Sequence, residues 1–261
     1  MIYFAHTDFY NFFLNYLKKK KNVSNKKDIL KKMLNELLVI SKKKLIVPTY
    51  NYNFPKNKIF NVQRDQSHIG TFSEMFRKRY SNSRSITPMF SSCSTIKNLN
   101  FNSKKTIFDP FGLNSEFDFL VKNNGKILNF GSLFAPTFIM YIERASKHGA
   151  LYRYGKFFKG KIYSKKKYIQ CKLYFEVRPL TIDIQYDLKK IKKDLIKLKI
   201  LIKKRTINNF VYEEIDAKQF LIYGLKKLKK NPYFFLKKNT IFALKKKKLF
   251  NFKKFKIEEF E

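Results

Sequence analysis

The sequence predicts an α/β fold, and the order of its first elements is the reason. "MIYFAH" (Met1–His6) is a short apolar run of strand type that ends at Thr7-Asp8, two residues suited to capping a helix. "FYNFFLNYL" then carries aromatic and leucine residues at the spacing of a buried helix face. "DILKKMLNELLVI" places Ile29, Leu30, Met33, Leu34, Leu37 and Leu38 at helical spacing, with Asp28 near its start. "KKLIVPTYNY" is a strand that runs into proline, so the chain opens strand, helix, helix, strand.

The later elements follow from the same rules. Gly70–Tyr80 reads as a helix, and "KILNF" (Lys126–Phe130) as a central strand after the Asn124-Gly125 turn. "GSLFAPTFIMYIERA" is a loop followed by a helix that starts near Pro136, where proline suits the first turn. "GKFFKGKIYSKKKYIQCKLYFEVR" predicts an antiparallel hairpin with a polar tip. Asp187–Lys204 has helical periodicity with a charged solvent face. "NFVYEEIDAKQFLIYGLKKLKKNPYFFL" predicts a strand and then a helix from about Asp216 to Asn231-Pro232. The expected organisation is one domain over residues 1–236 and a Lys/Phe-rich tail over 237–261.

Composition narrows the function. With 261 residues, 44% hydrophobic and 17% aromatic, the chain can bury a sizeable core and is not a disordered protein. A net charge of +38 invites a nucleic-acid reading. Of the 57 basic residues, however, only eight are Arg, the type favoured for bidentate phosphate and base contacts. Richness in Lys, Asn, Ile, Phe and Tyr with no Trp is also what an AT-rich genome writes on any protein, so no specific nucleic-acid partner is expected. Cys93, Cys171 and three scattered histidines form no zinc spacing or disulfide framework. There is no run long enough for a transmembrane segment and no secretory signal, so the cytoplasm is the expected location.

Six motifs, in order, resemble the aminoglycoside 3-N-acetyltransferase family: "LIVPTYNYNF", "SHIGTFSEMFRKR", "SRSITPMFSS", "FDPFGLNSEFDFLVKNNGKILNFGS", "PTFIMYIE" and "YRYGKFFKG". The likeness runs from about His6 to Leu236, and its flavour is that of the branch resembling enzymes of surface-polysaccharide amino-sugar biosynthesis. The resemblance implies that family's α/β fold, a central sheet flanked by helices, with an antiparallel hairpin in the C-terminal half. It implies acetyl-CoA as acyl donor and an amino sugar, nucleotide-linked or not, as acceptor, with a homodimer possible.

That reaction requires a base for the sugar ammonium, donors for a tetrahedral oxyanion, and cationic or N–H groups for the phosphates of CoA. The resemblance assigns Thr7, Asp8, Ser67, Arg79, Ser85 and Ser91 to the cofactor. The backbone N–H groups of Thr7 and Asp8 would face the pyrophosphate or pantetheine, while the Asp8 carboxylate caps the helix or faces substrate. Arg77 and Arg84 are further phosphate candidates, the alternative being solvated arginines beside a packed helix. Thr137, Glu143 and His6 are the catalytic candidates. In "APTFIMYIERA" the family's usual histidine is replaced by Met140, and in "SRSITPMFSS" a usual His-Pro is Thr87-Pro88. A thioether accepts no proton at neutral pH. Glu143, three residues from Met140 on a helix, is either the replacement base or a structural carboxylate paired with Arg144, Arg153 or a lysine. His6 is either functional or a hydrogen-bonded core histidine, and His68 and His148 are more distant candidates. Three functions stay open: an N-acetyltransferase, a catalytically silent relative that binds a sugar or partner, and a basic nucleic-acid-associated protein with a contiguous basic face.

Overall fold

A computed structural model describes residues 1–19, 25–96, 106–132, 134, 137–247 and 249. The strands are β1 (Tyr3–Thr7), β2 (Leu45–Pro48), β3 (Ile59–Asn61), β4 (Ser92–Ser94), β5 (Ile107–Phe108), β6 (Lys126–Phe130), β7 (Tyr154–Ser164), β8 (Lys167–Val177), β9 (Leu201–Arg205) and β10 (Val211–Asp216). The helices are α1 (Phe9–Lys19), α2 (Lys26–Ile40), α3 (Phe54–Asn57), α4 (Thr71–Arg79), α5 (Glu116–Lys122), α6 (Thr137–Ala145), α7 (Leu188–Lys197), α8 (Ala217–Lys230) and α9 (Lys238–Lys246).

Two sheets organise them. The larger has the order β4-β2-β1-β6-β10-β9, with β2, β1 and β6 parallel at its centre and the outer pairs antiparallel. Phe4, Ile46, Ile127 and Ile215 share one face of it and pack on α5, α6, α7 and α8 through Phe117, Ile139, Leu195 and Phe220. Ala5, Val47, Leu128 and Phe130 share the other face and pack on α1, α2 and α4 through Phe12, Leu37 and Phe72. A strand buried on both faces must be apolar on both, which is why "LIVP" and "KILNF" read as continuous apolar runs. The smaller sheet has the order β3-β7-β8-β5, built on the hairpin β7–β8, whose two strands have eleven residues each.

Several sequence expectations carry through. Asp216 caps α8 by accepting from the Gln219 amide at 2.9 Å, and Asn231 follows the last helical turn. Helix α2 starts two residues before Asp28, capped by Asn25. The hairpin tip is the Lys165-Lys166 pair, both at positive φ, the geometry of the two-residue turns that match strand twist. Pro136 lies outside the described residues.

One boundary is corrected. The periodic segment Asp187–Lys204 is not a single helix: α7 stops at Lys197, Lys199 takes φ 56, and Leu201–Arg205 pairs with β10 as an edge strand. Its lysines suit an edge exposed to water, where charge blocks unwanted pairing. Within the segment read as a tail, α9 is an ordered helix whose Leu244 is buried in a third cluster with Tyr152, Ile184 and Tyr233. Elements α3, β3, β4, β5 and α5 carry too few residues to show a period.

Gly131, directly after β6, is required by packing. At φ 71 it lets the chain pass the start of α1, and a Cβ there would sit 2.6 Å from the Asp8 carbonyl oxygen. Gly131→Ala is therefore expected to cost about 1–3 kcal/mol, from strain plus overpacking. Urea unfolding measures it; an unchanged midpoint would show that the start of α1 yields freely.

Candidate functional site

A cavity of about 630 Å³ opens at the carboxyl end of β1. That is where open α/β sheets place ligands, and the volume suits a small-molecule site. Thr7 and Asp8 form one wall with Phe9, Tyr10 and Phe13 of α1; Ile69, Gly70 and Thr71 form the other, with Ser132 and Lys26 beside them. Two helices start there. Asp8 caps α1: its Oδ1 accepts from the Asn11 amide at 3.1 Å and its Oδ2 from Asn11 Nδ2 at 2.8 Å. Helix α4 starts after Gly70, which has no side chain to cap it and sits at φ 117 with open space where a Cβ would point. An uncapped helix start facing a cavity offers backbone N–H groups and the positive end of the helix dipole to an anion. Lys26 adds a full positive charge at the rim.

Ser67 stands beside this cleft without lining it. Its amide donates to Glu74 Oε2 at 2.8 Å, which fixes the loop entering α4. Arg77 closes the same arrangement by a two-point pairing with Glu74, at 2.7 Å for each bond. Arg79 lies at the far end of α4, against the Tyr80 ring, remote from the cleft wall.

The serine turn is internal. Ser85 and Ser91 are 4% and 0% exposed. Ser85 Oγ donates to Glu116 Oε1 at 2.5 Å, and Ser92 Oγ donates to Glu116 Oε2. Ser91 Oγ accepts from Arg84 Nε at 3.0 Å and donates to the Thr49 carbonyl at 3.1 Å. Arg84 also donates to the carbonyls of Thr49, Val62 and Asp65. In this structure the motif organises a buried junction rather than an exposed ligand surface.

Around Met140 the space is nearly filled. A crevice there is lined by Asp109, Phe111, Met140, Glu143, Arg144, Arg153, Phe175 and Glu176. Glu143 is 1% exposed and its carboxylate is fully engaged. Tyr152 and Tyr186 both donate to it, the second at 2.8 Å, and Arg153 Nε lies at 3.5 Å. Burial raises its pKa against the opposing pull of Arg153 and the two phenols. Arg144 pairs with Asp109 at 2.9 Å. Thr137 starts α6 half-buried. His68 is exposed, hydrogen-bonded to Tyr52 and Asn51, and His148 is exposed. The structure gathers Thr7, Asp8, Gly70 and Thr71 into one cleft, and places Glu143 with Met140 in a separate buried crevice.

His6 sits inside, edge-on to Phe4 at 5.2 Å, and its Nε2 is buried with no hydrogen-bond partner among the described residues. Across the sheet its register partner is Asn129, and that of Asn129 is Glu213, so a polar row crosses three central strands. Asn129 Nδ2 reaches Glu213 at 3.3 Å, and Lys192 neutralises Glu213 at 2.5 Å. Glu116, Ser132 and Lys26 were not singled out by sequence reasoning. Glu116 follows Ser115, whose side chain caps α5 by accepting from the Asp118 amide, and Ser115 with Asp118 three residues on was the available signal for this helix start.

Two buried groups oppose each other in pH. Burial lowers His6 to about 4. The stability this contributes is present above the ordinary histidine value of about 6.5 and is lost as pH falls towards 4. Burial raises Glu116 to about 7 despite its serine donors. Its contribution is complete below about 4.5, the ordinary glutamate range, and is lost as pH rises through 7. Each is on the order of 3 kcal/mol, so between pH 4.5 and 6.5 they largely cancel. Relative to the parent, Glu116→Gln should lose stability as pH falls across that window, and His6→Gln should lose it as pH rises. Urea midpoints at several pH values read both slopes; parallel profiles would refute the assignment.

Comparison with known proteins gives the lineage. A sequence profile of the family described as aminoglycoside 3-N-acetyltransferase matches residues 40–226. No curated protein matches the sequence significantly. Among solved structures, AAC-IIIb in a binary complex with CoASH superposes with a TM-score of 0.64 at 13% identity, over 88% of this chain and 90% of that one. YokD from Bacillus subtilis gives 0.63 at 12% identity, over 88% and 93%. Sisomicin-bound AAC-VIa gives 0.60 at 12%, over 88% and 91%. At such identities these likenesses establish the fold, and the profile, spanning most of the chain, establishes the lineage. The chain belongs to the aminoglycoside 3-N-acetyltransferase family.

Proposed function

We propose that this protein is an acetyl-CoA-dependent N-acetyltransferase acting on an amino sugar, in surface glycan biosynthesis in the cytoplasm rather than in antibiotic resistance. The observation that carries the reading is the cleft at the end of β1, where an uncapped helix start and Lys26 face open space. The residues fit the anionic arm of CoA: N–H groups at the start of α4 and the Lys26 ammonium would hold it, and the Phe9 and Phe13 side chains supply apolar wall. Such a cosubstrate brings an activated acetyl carbonyl. The family to which the chain belongs and the CoASH complex of its structural neighbour support this assignment.

The acceptor follows from charge. At a net +38, the chain repels a polycation. Near Met140, Asp109 and Glu143 are already paired with arginines. A nucleotide-linked amino sugar, anionic overall, suits that environment better than an aminoglycoside. Its ammonium must shed a proton before attack. Glu143 is saturated by Tyr152, Tyr186 and Arg153, so its role is to hold α6 against the start of β7.

The same observation favours a second reading, a silent family member that binds without turnover. Met140 takes no proton, and the carboxylate beside it is sequestered.

Calorimetry with acetyl-CoA separates these, followed by thiol release with amino sugars and nucleotide-linked amino sugars. Micromolar binding is expected. Thr71→Glu keeps a carboxylate favourable to the helix start but sets it against the phosphates, and should weaken binding at least tenfold. Unaltered affinity would move the cosubstrate out of this cleft. Release by the parent establishes the enzyme; release only after Met140→His establishes the silent reading.

A further inference from the structure

Away from the cleft, the smaller sheet presents a second surface of distinct chemistry. Its inner face carries Phe158, Ile162, Ile169, Cys171, Leu173 and Phe175 into the core. Its outer face alternates aromatic and basic residues in register across the hairpin: Phe157 opposite Tyr174, Lys159 opposite Lys172, Lys161 opposite Gln170, and Tyr163 opposite Tyr168. The rings meet in pairs, Phe157 with Tyr174 at 5.2 Å and Tyr163 with Tyr168 at 4.8 Å between centroids. Phe157 is 54% exposed and Tyr168 is 62% exposed. Lys159, Lys161 and Lys172 are exposed and form no ion pair among the described residues. Strands β3 and β5 extend the face by setting Ile59 beside Lys161 and Ile107 beside Lys172, both exposed.

A lysine-rich chain makes many basic surfaces, so charge alone decides nothing. Two features separate this face from the background. Between Tyr154 and Phe175 there are seven lysines and no Asp or Glu, in a chain whose 57 basic and 19 acidic residues would put about two acids among them. Exposed rings are also costly unless something covers them, and here they flank lysines at the two-residue repeat of a strand, about 7 Å apart. Flat rings interleaved with cations on an open sheet bind a chain that is anionic along its backbone and planar in its side groups. We infer that the outer face of the β3-β7-β8-β5 sheet binds single-stranded nucleic acid without sequence preference, the phosphates on Lys159, Lys161 and Lys172 and the bases on Phe157 and Tyr168. This stands apart from the acetyl-transfer reading and uses none of its residues.

The test is fluorescence anisotropy of the full chain with a labelled 12-nucleotide mixed-sequence RNA, titrated at several salt concentrations. Lys159→Gln/Lys161→Gln/Lys172→Gln should reduce the slope of log affinity against log salt by about two, since each single-strand phosphate contact contributes roughly 0.7. Phe157→Ser/Tyr168→Ser should weaken binding at least tenfold while leaving that slope unchanged. Urea midpoints confirm that both variants fold; should the aromatic variant unfold, the lysine variant's slope carries the test. Aromatic variants that bind like the parent would overturn the inference, as would a lysine variant with the parent's salt slope. So would tighter binding to vesicles containing phosphatidylserine, or to heparin, than to the RNA.

Discussion

One guanidinium joins the parts of this fold. Arg84 is 5% exposed and donates to the carbonyl of Thr49, just past β2, to those of Val62 and Asp65, just past β3, and to Ser91, just before β4. Its plane lies over Phe60 at 5.0 Å. The large sheet ends at one side of it and the small sheet begins at the other. Five fixed donors suit this work, because a loop junction inside a protein leaves several carbonyls away from water, and each would be costly unpaired. Burial lowers the guanidinium to about 10, which leaves it charged at neutral pH.

The serines of the same motif serve the junction as well. Ser85 and Ser92 hold Glu116, and Glu116 is the first residue of α5, whose Phe117 packs on Phe4 of the central strand. This deeply placed carboxyl group is held by the Ser85 and Ser92 hydroxyls and the Ser92 backbone, with no ion pair among the described residues, and burial keeps its proton to near neutrality. A separate polar row, His6, Asn129 and Glu213, crosses β1, β6 and β10. At that end of β1 the His6 carbonyl accepts from Ser132 Oγ at 3.1 Å, and Ser132 lines the large cleft.

A second polar core fixes the other half. Glu143 on α6 gathers Tyr152 and Arg153, which precede β7, and Tyr186 from beyond β8. This carboxylate is a structural anchor between α6 and the hairpin. With Met140 beside it, the crevice is nearly filled, whereas the cleft by α4 is open and carries one carboxylate, Asp8, and one ammonium, Lys26, on its lining.

Much of this was legible in the residues. The parallel centre of the sheet was readable because strands buried on both faces are apolar throughout, as in "LIVP" and "KILNF", and Thr7-Asp8 announced a helix start at the cleft. Six ordered motifs were enough to indicate the family. What only the tertiary structure decided is how the polar side chains of those motifs are spent. Ser85, Ser91 and Arg84 could as well have faced a ligand, and Glu143 could have been free to act. Their partners lie 43 or fewer residues away along the chain but on different elements, as Tyr186 does for Glu143 and Thr49 does for Arg84. A local pattern records which face of an element is apolar, since that repeats within a few residues. The partner of a buried charge is set by how distant elements pack, and no local period encodes it.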